Sequence, residues 1–503
     1  MTAPKRTPTA RRKSPGARFD PWDCGWQVGT SRRPARVPLW IRYDRTTGVI
    51  GAQGSGKSLD VLFPALLGSK GAALTTLTKL QDYALTVTAR ARRGPTRVLD
   101  PFELAAGEPA LVWDPLEGCV SAEIAGRRAK AFAAGTIKGA LARGTDEAAA
   151  RYYATEAIKV LTAYFHAAAL TGRTLHDVLA WVADPRKTAE TVEEILIRHP
   201  HAEEHIDGQF HGAILNEDHR TSGNTISTVQ QAMGMFFVSS FRDRCVPTPD
   251  RPATNIAELI RNNGTIYLLG REDPYSAASP LMTAVAEHVL DVARAEAARS
   301  PHGKLCPSFL AVLDELPSTA PLPSLLTSMA NDRDLGLCYL WAAQDEEQLR
   351  ICFGDTEADS LIGLTNNLIA FGGGKNLKFY TRLSELIGPK VVTRTTTTSG
   401  AGGRGRSRSR DKEPVLRADE IRKLPPGQAL IVAENAPPII AGLHRCITGP
   451  TGQQLLTGRD DVLQRIEQRR NTTLDLDELT RAAHQAAAKV ELTPKPTNRQ
   501  PST

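Results

Sequence analysis

The chain has 503 residues, 41% of them hydrophobic and 23% charged, enough apolar material for a folded body of roughly two or three domains. Its seven cysteines (Cys24, Cys119, Cys245, Cys306, Cys338, Cys352 and Cys446) are scattered and form no C-x-x-C pair, which excludes a disulfide framework or a Cys-type zinc site and fits free thiols in a reducing cytoplasm. The formal charge of +7 is local: residues 1–40 hold nine Lys/Arg and two Asp, so this arm alone carries +7 and the rest sums to zero.

The Pro-rich arm over 1–40 is expected to be disordered and suited to phosphate backbones or anionic lipid headgroups. No run of about eighteen apolar residues follows it, so no transmembrane helix is predicted. A cytoplasmic placement is expected, with peripheral attachment at the inner face of the membrane as the arm's second option.

The apolar pair Val49-Ile50 then leads into Gly51-Ala52-Gln53-Gly54-Ser55-Gly56-Lys57-Ser58, a complete phosphate-binding P-loop. Glycines let successive backbone N–H groups face a triphosphate without Cβ interference, and the helix that follows adds the positive end of its dipole. Gly51, Gln53, Gly54, Ser55, Gly56, Lys57 and Ser58 are the predicted nucleotide-binding residues. Lys57 would reach the β- and γ-phosphates, and the Ser58 hydroxyl would ligate Mg²⁺.

Strands are expected at 71–76, 97–99 and 110–113, with a helix at 80–93. Alanine-rich stretches at 125–141 and 148–170 then mark an all-helical region. The strand signal returns at 265–269, 309–313, 337–342 and 368–371. Phe309–Leu313 is the informative one, because it ends in Asp314-Glu315. An apolar strand delivers carboxylates at its C-terminal edge, where ligands bind in open α/β sheets. Asp314 is assigned to the Mg²⁺ shell and Glu315 to the attacking water.

A threonine run and Gly402-Gly403-Arg404-Gly405-Arg406-Ser407-Arg408-Ser409-Arg410 interrupt the strand order; the composition predicts a disordered loop at 394–413 that could follow nucleic acid through phosphate contacts. A hairpin is expected at 429–441, and a last amphipathic helix carries Leu476, Leu479, Ala483, Ala486 and Val490. The resulting division is an arm over 1–40, nucleotide-binding domain over 41–118 and 251–450, an all-helical domain over 119–250, and a helical or disordered tail over 451–503. Strands alternating with helices make the class α/β, with a mostly parallel central sheet.

The order of segments resembles the type IV coupling proteins of conjugation and secretion, TraG/TraD-like members of the FtsK/HerA motors. Thr76-Leu77-Thr78-Lys79-Leu80-Gln81-Asp82 with Thr88-Ala89-Arg90-Ala91-Arg92-Arg93-Gly94 is similar to the segment after that family's P-loop helix. Val98-Leu99-Asp100-Pro101 and Trp113-Asp114-Pro115-Leu116-Glu117-Gly118-Cys119 look like actinobacterial members. Leu313-Asp314-Glu315-Leu316-Pro317, Asn331-Asp332-Arg333-Asp334-Leu335-Gly336 and Gln344-Asp345-Glu346-Glu347-Gln348-Leu349 follow in the family's order, and Leu424-Pro425-Pro426-Gly427 resembles its closing pattern.

The resemblance implies a RecA-like P-loop ATPase carrying an all-α insertion, working as a homo-hexamer that moves DNA and recruits a relaxase–DNA complex to type IV secretion components in the membrane. It also implies that Arg333 reaches the next subunit's γ-phosphate and that Gln344 senses that phosphate. Family members usually begin with transmembrane helices, and the basic arm stands where these are expected. Alternatives are a soluble double-stranded DNA pump of the FtsK/HerA kind and a nucleotide-bound recruitment scaffold that does not hydrolyse.

Overall fold

The computed structural model describes residues 20–32, 36–142, 144–215, 218–270, 278–400 and 403–473. Thirteen strands occur among them: β1 Gly25–Ser31, β2 Pro38–Arg42, β3 Thr47–Ile50, β4 Ala73–Leu77, β5 Thr96–Leu99, β6 Thr265–Leu269, β7 Phe309–Leu313, β8 Leu337–Ala343, β9 Asn367–Phe371, β10 Pro389–Gly400, β11 Gly403–Pro414, β12 Gln428–Ala433 and β13 Ile439–Leu443. Eleven form one sheet in the order β2-β1-β13-β12-β9-β3-β8-β7-β4-β6-β5. From β9 to β5 every pairing is parallel, and from β2 to β9 every pairing is antiparallel. The fold is therefore α/β, with a mixed sheet whose larger part is parallel.

Parallel strands are buried on both faces, which is why β3, β4, β6, β7, β8 and β9 are apolar almost throughout and fully buried. Their alternation divides two cores. Phe309, Ala311, Leu313, Leu337, Tyr339 and Trp341 face one; Leu310, Val312, Cys338, Leu340 and Ala342 face the other. The first core is shared with the helices between Ala122 and Cys245, led by the hairpin of Ala122–Ala142 and Glu147–Leu170. The second is closed by the helix after the P-loop, helix Leu80–Ala91 and the C-terminal helix Gly449–Thr473.

Three expectations are corrected. The N-terminal arm does not extend to residue 40, because β1 and β2 add two strands to the sheet edge, with Trp26, Val28 and Ile41 buried beneath them. The stretch at 394–413 is not a disordered loop: β10 and β11 pair in register from Pro389↔Pro414 to Gly400↔Gly403. Its β-branched threonines favour extended backbone, and its polarity reflects a ribbon that is solvated on both sides. Residues 110–113 make only a single bridge, Ala110 to Val98, since Pro109 and Asp114-Pro115 break the ladder on either side. The amphipathic pattern at 476–490 lies outside the described residues.

Arg90 on helix Leu80–Ala91 is wholly buried. Its guanidinium donates to the Leu66, Ser69 and Gly71 carbonyls at 3.2, 2.6 and 2.7 Å and to Thr265 Oγ1 at 2.7 Å. It thus satisfies the end of the P-loop helix and ties it to β6. Arg90→Met would strand those acceptors without leaving a hole, so urea titration should show a loss of roughly 3 kcal/mol, with Arg90→Lys intermediate.

Candidate nucleotide site

Strand β3 ends at the P-loop, and its two neighbours are β8 and β9. Strand β7 lies on the far side of β8, so the P-loop and the acidic strand end are separated by one strand, and all three point the same way. That arrangement brings residues about 250 positions apart to one edge of the sheet. A cavity of about 240 Å³ opens there, lined by Gln53, Gly54, Ser55, Gly56, Lys57 and Ser58 from the loop, by Asp314 and Glu315 after β7, and by Gln344 after β8. Gly51 sits just beneath, buried at the end of β3.

The loop needs its glycines. Gly54 and Gly56 have φ of +75° and +101°, and a Cβ on Gly56 would fall 2.4 Å from an Asp60 carboxylate oxygen. Lys57 is buried. Its Nζ donates to the Gly51 carbonyl at 2.6 Å and approaches Glu315 Oε1 at 3.8 Å. The Ser58 hydroxyl donates to Asp314 Oδ2 at 2.8 Å. The Asp314 carbonyl accepts from the hydroxyls of Thr76 and Thr319, which fixes the backbone from which its side chain projects. Glu315 follows in the left-handed region at φ +50°, a conformation that costs an L-residue roughly 1–2 kcal/mol and turns its carboxylate toward Lys57.

Three further charged residues, Lys79, Asp82 and Arg445, line the cavity, and no sequence motif assigns them a role. Lys79 and Asp82 belong to the segment after β4. Burial first, and the Asp314 carboxylate second, push the Asp82 carboxyl up to about 6, with Lys79 opposing. Burial likewise raises Asp314 against the pull of its Ser58 hydrogen bond and Lys57. Arg445, in the loop after β13, forms a two-pronged ion pair with the buried Asp60 of the P-loop helix, at 2.7 and 3.2 Å. No local pattern marks a lone arginine in a C-terminal loop; the available hint was an aspartate on the apolar face of the P-loop helix.

Arg333 is elsewhere. It precedes β8 at the opposite edge of the sheet, with its guanidinium 3.7 Å from Asp44 and its side chain 40% exposed. It cannot serve the cavity of its own chain.

The residues present fit a magnesium–triphosphate group. Asp314 Oδ1 is buried and has no hydrogen-bond partner among the described residues, and the repulsion that Asp314 exerts on Asp82 is what a divalent cation held at Asp314 would relieve. Without it, Asp82 resists ionisation: folding costs nothing extra below about pH 4, where it is protonated in both states, and the penalty is complete above about pH 6. Asp82→Asn should therefore stabilise the nucleotide-free protein by about 1–3 kcal/mol at pH 8, the gain vanishing near pH 4 in paired urea titrations.

Residues 308–426 match the profile of a family described as the TraM recognition site of TraD and TraG. No curated protein sequence matches the chain. Among solved structures it is similar to the bacterial conjugative coupling protein TrwBdeltaN70 in an unbound form, at 19% identity and a TM-score of 0.59 over 80% of this chain and 85% of that one. The plasmid coupling protein TrwB, in complex with a non-hydrolysable ATP analogue, matches at 18% identity and a TM-score of 0.57 over 80% and 86%. TrwB in complex with ADP and Mg²⁺ matches to the same degree over 80% and 85%. The resemblance to the type IV coupling proteins thus extends to the fold, and residues 308–426 are similar to the TraM recognition site of TraD and TraG.

Proposed function

We propose that the chain is an ATP-hydrolysing, DNA-translocating motor acting as a coupling protein of conjugative or type IV secretion transfer. The observation that carries this reading is the meeting of Lys57, Ser58, Asp314, Glu315 and Gln344 in one cavity of a coupling-protein fold. The ATP-analogue and ADP–Mg²⁺ complexes of the similar TrwB support ATP and Mg²⁺ as cofactors here.

In this reading the P-loop N–H groups and Lys57 hold the phosphates, exchanging the Gly51 carbonyl for the β- and γ-oxygens. Ser58 and Asp314 hold Mg²⁺, which neutralises phosphate charge when bound. Glu315 orients a water and takes its proton as the new bond to the γ-phosphorus forms and the bond to ADP breaks. Gln344, one strand away, hydrogen-bonds the transferring group and reports its departure.

Arg333 lies too far from its own chain's cavity to take part there, which supports a ring in which it serves a neighbour's phosphate. A homo-hexamer is the expected ring. The TraM recognition segment supports a relaxosome protein as partner, delivering a relaxase–DNA complex to a membrane channel.

DNA-stimulated phosphate release tests the reading. Lys57→Ala should lose nucleotide binding, whereas Glu315→Gln should bind ATP as tightly as wild type and turn over at least ~10²-fold more slowly. Equal turnover by wild type and Glu315→Gln would sink it. Arg333→Ala should retain ATP binding and lose turnover by roughly 10³-fold. Mixing it with Lys57→Ala should restore part of the activity, because each subunit then supplies what its neighbour lacks.

A further inference from the structure

The ribbon β10–β11 is a second sheet, separate from the main one. Each strand has twelve residues, so it reaches about 40 Å. Its base is tied to the body by Val415 N–H to the Gly388 carbonyl at 3.0 Å and by Ser384 Oγ to the Leu416 carbonyl at 2.6 Å. Beyond the base, residues 393–396 and 408–412 are exposed.

The register sorts charge by face. Among the described side chains, Val391↔Lys412, Thr393↔Arg410 and Thr395↔Arg408 occupy one face, which holds three cations and no carboxylate. Lys390↔Glu413, Val392↔Asp411 and Arg394↔Ser409 occupy the other, where two cations balance two carboxylates. On that second face Arg394 pairs with Glu413, and Ser409 donates to Asp411. No ion pair involves Arg408, Arg410 or Lys412 among the described residues.

We infer that this face of the ribbon is a rail for the phosphodiester backbone of nucleic acid. Alternate residues on a strand stand about 6.8 Å apart, so β11 presents a straight row of cations at even spacing. Long arginine side chains on such a row can meet successive phosphates of one strand. The threonines opposite them on β10 add neutral hydroxyl donors, which phosphate oxygens also accept. The recognition carries no base information, as a moving track requires. A protein partner would need an apolar or aromatic centre to bury. Past Val391 and Val392 at the base, neither strand has an apolar residue.

This inference rests on the reading that nucleic acid is the cargo, and it places the contact on a face more than three hundred residues downstream of the P-loop in the chain. The test uses the whole protein with a fluorescently labelled mixed-sequence single strand and its duplex, titrated over a range of salt. Combined Arg408→Gln, Arg410→Gln and Lys412→Gln should weaken binding on the order of 100-fold near 0.1 M salt and reduce the slope of log K against log salt by about 2–3. Lys390→Gln with Arg394→Gln, on the balanced face, should change that slope by less than about 1.

Binding of a fluorescent ATP analogue should be unchanged in both variants. Equal losses from the two faces, or no loss from the basic one, would overturn the rail. Displacement of the labelled strand by polyglutamate at matched charge would overturn it in favour of an acidic protein. Face-dependent DNA binding in a protein that binds but does not hydrolyse ATP would keep the rail and sink the motor.

Discussion

The hydrogen bond from Ser58 to Asp314 joins the two halves of the site, and the sheet order exists to permit it. The serine comes from the loop after β3 and the aspartate from the end of β7, with β8 between them. One intervening strand leaves a gap wide enough for a phosphate chain and narrow enough for a 2.8 Å contact. Because the strands are parallel, their C-terminal ends share an edge, and loops that are remote in sequence meet without any long connection having to be ordered.

Around that contact the molecule stores unfavourable electrostatics. Lys57 bonds to its own loop carbonyls, Asp314 and Asp82 resist ionisation, and Glu315 is held in a strained conformation. Asp314 and Asp82 are the groups that a charged ligand would serve best. The neighbouring Asp60–Arg445 pair differs, since its charges satisfy each other and it holds the helix that carries the loop.

Much of this was legible in the sequence, for reasons specific to the segments concerned. The P-loop has a fixed spacing because backbone geometry demands it, and β7 announces itself because an apolar run stops at two acids. Strands buried on both faces read as unbroken apolar runs, so β6, β7, β8 and β9 could be placed closely. Two failures share a cause: composition outweighed pattern. Composition assigns Gly25–Ser31 to a basic arm, although Trp26 and Val28 alternate with small or polar neighbours. Composition likewise makes 394–413 a disordered loop, although its β-branched threonines precede an Arg/Ser alternation of period two. Arg445 had no local signature, since its meaning depends on a partner 385 residues away.

That last contact joins distant parts of the chain. The guanidinium that neutralises the buried Asp60 of the P-loop helix comes from the loop after β13, just ahead of the helix Gly449–Thr473 that roofs the same core. A substitution at Arg445 would leave the Asp60 carboxylate buried without its counter-charge, so the seat of the phosphate loop depends on a loop from the antiparallel side of the sheet.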